Sequence, residues 1–208
     1  YSPGVARHAV GVKTLGEEAG ILDHVIAQLD LESVAETEEE RESRLQFVVV
    51  GGGYAGTETA AYLQRLTTQA VRRYPNLDGS LVKWHLVDIA PKLMPELGDK
   101  LGKRALKILA KRGLNVSLGV SVAECTEDTV TLTDGRKLPC RTLIWTAGVA
   151  PSPLIATMGA APNRGRLVVN DDLTVPGLPG VIASGSADPV SRLQPGRCSS
   201  CAPTLQHQ

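Results

Sequence analysis

The chain has 208 residues, of which 42% are hydrophobic and only 3% aromatic, and its 22 Lys+Arg balance 22 Asp+Glu to a formal net charge of zero. This length and composition suit a globular protein with one large core or two small ones. The neutral balance and the shortage of rings leave nucleic acid out as an expected partner, since neither a basic footprint nor a base-stacking surface is available.

The sequence begins at Tyr1 without methionine, and a fragment or processed product is the expectation. It has no signal-peptide pattern and no apolar run long enough to span a bilayer. A cytoplasmic location is expected, with any peripheral attachment to the inner face of the cell membrane made through segments outside this sequence. Residues 15–33 read as a helix whose apolar stripe is Leu15, Leu22, Val25, Ile26 and Leu29. Residues 36–44 are a charged stretch, expected as a solvated helix or linker.

The run Gln46-Phe47-Val48-Val49-Val50 is a short, wholly apolar strand of the kind found in a parallel sheet covered on both faces. It stops at Gly51-Gly52-Gly53-Tyr54-Ala55-Gly56, where Gly51, Gly53 and Gly56 have G-x-G-x-x-G spacing. In a dinucleotide-binding turn the first glycine allows the tight strand-to-helix turn. The second lets backbone approach a pyrophosphate, and the third lets the helix pack on the sheet. The N–H groups opening the helix then face the phosphates, aided by the helix dipole. That helix should turn Ala60, Leu63, Ala70 and Val71 to the sheet and end near Tyr74-Pro75-Asn76.

Residues 81–88 read as a second strand ending in Asp88. A carboxylate there can accept from adenosine ribose hydroxyls and repels a 2′-phosphate, which favours NAD(H) over NADP(H) despite Lys92 nearby. A turn-capping aspartate is the alternative reading. Residues 95–112 form the next predicted helix, with Leu97, Leu101, Ala105, Ile108 and Leu109 inward. Its opposite face is basic (Lys100, Lys103, Arg104, Lys107, Lys111, Arg112), and Gly113 is its C-cap. Strands at 115–118, 121–125, 129–132 and 141–145 follow, with a hairpin turn at Asp134-Gly135. Two further β patterns, 166–170 and 180–183, precede a loop-like tail from residue 191.

The fold class is therefore α/β, a Rossmann-like FAD/NAD(P)-binding fold with a parallel sheet and an inserted β-meander. No nucleophile–base constellation appears, and His8, His24, His85 and His207 are scattered without metal-ligand spacing. No metal is expected. Cys198-Ser-Ser-Cys201 is a single C-x-x-C in Pro/Ser-rich surroundings, read as reduced loop cysteines alongside Cys125 and Cys140. Hydride transfer between nicotinamide and flavin fits such a chain, because the cofactors carry the chemistry and the protein aligns them.

Several segments resemble type II NADH dehydrogenases, the NADH:quinone oxidoreductases among the two-dinucleotide-fold flavoproteins. They are Ser2-Pro3-Gly4-Val5-Ala6 with Val12-Lys13-Thr14-Leu15, the turn from Phe47 to Glu58, and Trp145-Thr146-Ala147-Gly148-Val149-Ala150. Gly165-Arg166-Leu167-Val168-Val169-Asn170, Pro176-Gly177-Leu178-Pro179-Gly180-Val181 and Pro203-Thr204-Leu205-Gln206-His207 continue the series. The resemblance implies that residues 1–45 are the end of a first FAD-domain segment and a connector. Residues 46–146 would be the NADH domain and 147–208 a truncated return to the FAD domain.

It also implies roles. Gly51, Gly53, Tyr54, Ala55, Gly56, Asp88, Ala147 and Gly148 would hold NADH, with Gly148 bringing backbone near the nicotinamide. Glu58, at the G-x-E position, would sit at the nicotinamide–flavin contact, although an acid in the first helical turn also serves the dipole. Gln206 would lie near flavin and quinone. The family's Gly-Asp, whose aspartate binds the ribityl chain, reads Gly185-Ser186 here, and a hydroxyl bonds more weakly than a carboxylate. NADH and a quinone are the implied partners, FAD the cofactor, a membrane surface only through missing C-terminal sequence, and a homodimer is compatible. The rivals are another flavoprotein of the superfamily, such as a ferredoxin or sulfide:quinone reductase, and a non-catalytic or degenerate NAD-binding module.

Overall fold

The computed structural model describes residues 2–148, 154–159, 162–163, 166–184 and 206–207. The chain divides into two compact units, residues 1–147 and 148–208. The first opens with α1 (Val5–His8), β1 (Ala9–Gly11), α2 (Leu15–Glu32) and α3 (Glu38–Leu45), then β2 (Gln46–Val50), α4 (Tyr54–Ala70) and β3 (Lys83–Asp88). After α5 (Gly98–Lys111) come β4 (Leu114–Leu118), β5 (Val122–Cys125), β6 (Thr129–Leu132), β7 (Lys137–Pro139) and β8 (Thr142–Trp145).

Strands β1-β8-β2-β3-β4, in that order, form one sheet with every neighbouring pair parallel, and β5-β6-β7 form a separate antiparallel meander. Every residue of β2 is buried. Its alternating side chains feed two different cores, because successive residues of a strand point to opposite faces. Phe47 and Val49 join Val25, Leu29, Ala60 and Leu63 on the helical face. Val48 and Val50 join Val122, Val130, Leu132 and Leu143 on the meander face. Phe47 pairs with Trp84 across β2 and β3, their rings stacked at 4.5 Å and 12°. The Trp84 indole N–H donates to Thr67 Oγ1 at 3.0 Å, so its one polar atom is satisfied in the core. Burying each of these rings is worth about 2–3 kcal/mol.

Several sequence expectations shift. Leu15 is 84% exposed. It follows the Thr14 N-cap inside the capping box closed by Glu17, and the buried stripe of α2 begins nearly two turns later at Ile21, Val25 and Leu29. In α5, Leu101 and Ile108 are half exposed, and the inward stripe is Gly102, Ala105, Leu106 and Leu109. The cause is Gly102: a Cβ there would stand 2.6 Å from the Leu93 carbonyl oxygen, so the helix rests on that loop by its glycine. Residues 95–97 form a separate 3₁₀ turn. Finally, β1 and β7 were not anticipated; three residues are too few for an alternation to register. The charged stretch is the helix α3, tied to α2 by Arg41–Glu32 at 3.1 Å.

The second unit holds α6 (Leu154–Thr157) and two short antiparallel pairs, β9 (Pro162–Asn163) with β10 (Arg166–Leu167) and β11 (Val181–Ile182) with β12 (Gln206–His207). Ile155, Leu167, Val175 and Ala183 form its small core. The strand expected over 166–170 stops at Leu167, because the Asn170 N–H turns to the Thr174 carbonyl at 2.9 Å. Among the described residues no helix is long and apolar enough to cross a membrane.

Candidate functional site

The order of the sheet determines where a ligand can sit. From β2 the chain steps outward through α4 to β3 and through α5 to β4, while β8 lies on the other side of β2. The direction therefore reverses between β2 and β8, and the crevice beyond the carboxyl ends of those strands is where open parallel sheets bind ligands.

The glycine turn occupies that crevice, and each glycine does something different there. Gly51 has φ +118° and donates its N–H to the Val87 carbonyl at 2.9 Å. A side chain at Gly51 would also run into the Thr146 hydroxyl. Gly56 packs its Cα against the Gly51 carbonyl, and any Cβ there would collide with that oxygen. Gly53 is the opposite case: a Cβ would meet nothing within 4 Å. Gly53 is the N-cap of α4, and no side chain caps the helix. Uncapped N–H groups at the start of a 17-residue helix, beside backbone with open space, are the donors a phosphate takes up. Tyr54 and Ala55 form the first turn of that helix, Tyr54 half-buried and Ala55 exposed.

Asp88 meets the turn from β3. Its Oδ2 accepts from the Gly52 N–H and its Oδ1 from the Ala90 N–H at 2.6 Å. The Gly52 carbonyl in turn accepts from the Met94 N–H at 2.8 Å. The carboxylate thus anchors the glycine loop to the turn after β3, and each oxygen retains a second lone pair. Lys92 is held away by an ion pair with Asp99 at 2.7 Å, both side chains being largely exposed.

Thr146, not singled out as a site residue from the sequence, closes the crevice from β8. Its N–H and its hydroxyl both donate to the Val50 carbonyl, at 2.9 and 2.7 Å. The strand-end carbonyl is thereby satisfied at the point where Gly51 leaves the sheet. Only the packing against two glycines identifies this role, which spacing in the sequence does not encode. Ala147 accepts the Trp145 indole N–H at 2.9 Å, and Gly148 is exposed with φ +79°.

Glu58 is exposed and opens onto a 380 Å³ groove between α2 and α4 that Val12, Ile21, Leu22 and Tyr62 also line, with Glu18 at its rim. Gln206 stands in β12, paired with Ile182. Gly185 and Ser186 lie outside the described residues, as do Cys198 and Cys201. Among the described residues there is no cluster of His, Cys, Asp and Glu fit for a metal ion. His85 lies in β3 with its ring at 3.1 Å from Gln46 Oε1, and burial, with Lys83 and Arg136 adding repulsion, pulls its pKa down to about 4. Cys140 is fully buried and its thiol is pushed up to about 12, which removes it as a nucleophile at neutral pH.

A family model described as pyridine nucleotide-disulphide oxidoreductase matches residues 4–198. The chain is 32% identical to the type II NADH:quinone oxidoreductase NdhA of Mycobacterium tuberculosis, over 86% of this chain and 41% of that protein. It is 27% identical to the type II NADH:quinone oxidoreductase of Staphylococcus aureus, over 88% of this chain and 48% of that protein. Its fold matches NDH2 from Plasmodium falciparum in complex with NADH, with TM-score 0.77 and 21% identity, over 90% of this chain and 41% of that one. The chain therefore spans under half the length of the relatives it matches.

Proposed function

Since the chain belongs to the pyridine nucleotide-disulphide oxidoreductase family, we propose that it is the NADH-binding portion of an FAD-dependent NADH:quinone oxidoreductase of the type II class. The observation that carries this reading is the division of labour among the glycines. Gly51 and Gly56 are glycine because the fold has no room for a side chain, whereas Gly53 is glycine where the fold leaves room. A space kept clear at an uncapped helix start fits a pyrophosphate approaching the backbone.

On this reading the N–H groups of Gly53, Tyr54, Ala55 and Gly56 hold the pyrophosphate. Asp88, held in place by the Gly52 and Ala90 amides, accepts from the ribose hydroxyls and selects against a 2′-phosphate. Thr146 keeps the turn in shape through the Val50 carbonyl. Ala147 and Gly148 carry the backbone that would approach the nicotinamide, and Gly148 has no side chain to obstruct it.

When bound, FAD supplies the acceptor for the nicotinamide hydride and the route onward to a quinone. Gly185, Ser186 and Gln206 are this chain's candidates for contact with the flavin. Glu58 stands on the groove face of α4, where it would handle a proton near the acceptor. We assign residues 46–146 as the NADH domain and 147–208 as a returning portion of the flavin domain, while residues 1–45, whose β1 and α2 join the same sheet and core, end a first flavin-domain segment and serve as its connector.

Calorimetric titration of the 208-residue chain with NADH and NADPH tests the binding half of the proposal. The expected result is saturable NADH binding, about tenfold or more tighter than NADPH binding. Equal binding of the two would remove Asp88 from its role. The redox half is tested on the full-length encoded protein, which should show flavin absorbance and oxidise NADH with a quinone acceptor. A protein that oxidises NADH only with a ferredoxin or a sulfide-derived acceptor would move the assignment to another branch.

A further inference from the structure

The opposite edge of the parallel sheet holds another concavity, separate from the glycine turn and from the α2–α4 groove. It is a 280 Å³ cavity at the amino ends of β1, β8 and β2. Arg7 and His8 reach it from α1, His24 from α2 and Arg44 from the end of α3, while Arg141 precedes β8. Three arginines thus line one small space, and Glu127 is the only carboxylate in its lining among the described residues.

The charges are unevenly compensated. Arg44 is ion-paired with Glu40 at 2.6 Å and also donates to Gln28 Oε1 at 3.1 Å. Arg141 donates through Nε to Ser43 Oγ at 3.0 Å, which fixes its guanidinium plane. Its nearest acid is Glu127, 4.0 Å away and 82% exposed. Arg7 has no ion-pair partner among the described residues. Burial lowers the pKa of His24, whose ring nitrogen stands 2.9 Å from Thr142 Oγ1.

Glu40 offsets Arg44 and also feels the charge of Arg141, so the positive charge left over lies with Arg7 and Arg141, and planar guanidinium forks match the oxygens of phosphates and carboxylates. We propose that this cavity is an anion site distinct from the glycine turn, and that it takes a small oxyanion of the phosphate or carboxylate class. Arg141 presents a fixed fork and Arg44 a partly buried one. Arg7, on the exposed first helix, closes over the ligand from outside.

The test is an NMR titration of the 208-residue chain with inorganic phosphate at constant ionic strength, with chloride as the control and acetate as the carboxylate arm. The account expects saturable shifts of the Arg44 and Arg141 Nε–H signals and the His24 ring, and none with chloride. Arg7→Gln should weaken phosphate binding about tenfold, the loss of one charge-assisted contact. Arg7 is exposed and outside both cores, so this variant should fold as the parent does. Acetate competing at the same signals would support the oxyanion class. Shifts confined to the amides of residues 51–56, equal responses to chloride, or an unchanged affinity in Arg7→Gln would overturn the proposal.

Discussion

The carboxyl edge of the five-stranded sheet borders its proposed ligand space with backbone, whereas the amino edge borders its own proposed site with side chains. At the carboxyl edge the actors are the Gly51–Gly56 turn, the uncapped start of α4 and strand-end carbonyls, with Asp88 as the one charged side chain bonded to the loop. At the amino edge they are three arginines drawn from α1, α3 and the loop before β8. Backbone recognition demands tight conformations, so it tolerates few substitutions and leaves a local mark in the sequence. Side-chain recognition is assembled by the fold from distant positions and tolerates more change at each of them.

The sharpest break between the edges should come from Gly56→Val. Its branched side chain would drive into the Gly51 carbonyl, and the cost should be about 3 kcal/mol or more, enough to unfold a marginal protein. Chemical denaturation reads it directly. Next is Thr146→Val, which keeps the shape but removes the hydroxyl bonded to Val50. A loss of about 1–1.5 kcal/mol is expected, together with weaker NADH binding because the turn loses its brace.

A smaller effect concerns pH. His85 has its pKa lowered from 6.5 to about 4 in the fold. The unfolded chain therefore takes up a proton in that window that the folded chain refuses. Its contribution is fully present above pH about 6.5 and is lost as pH falls toward 4. Since His85 is only partly enclosed, the change should be on the order of 1 kcal/mol. Denaturation midpoints from pH 7 to pH 4 should fall less steeply in His85→Gln than in the parent. The smallest effect on stability belongs to Gly53→Ala, expected within about 0.5 kcal/mol of the parent because the added methyl meets open space.

The same contrast explains what the sequence revealed. The glycine spacing and the apolar run of β2 were legible because each reflects a local requirement, a tight turn in one case and burial on both faces in the other. The meander was legible through Asp134-Gly135, with Gly135 at φ +88° as a hairpin turn requires. Thr146 was not, since its importance arises only when β8 is laid beside β2. In the stripe of α5, Leu97, Ala105 and Leu109 were read correctly and Leu101 and Ile108 were not, because the closest approach to the fold is made by Gly102, which no hydrophobic pattern records. The arginine cavity was invisible for the same reason: residues 7, 44 and 141 become neighbours only in three dimensions.

The central claim is that Gly53 is kept clear for a ligand and not for the fold. A titration of NADH fluorescence against the 208-residue chain and its Gly53→Val variant, with melting curves of both, tests it most directly. The account predicts saturable binding by the parent, a loss of about tenfold or more in the variant, and melting temperatures that stay close together. An unchanged NADH affinity in Gly53→Val, with the variant folded, would contradict it.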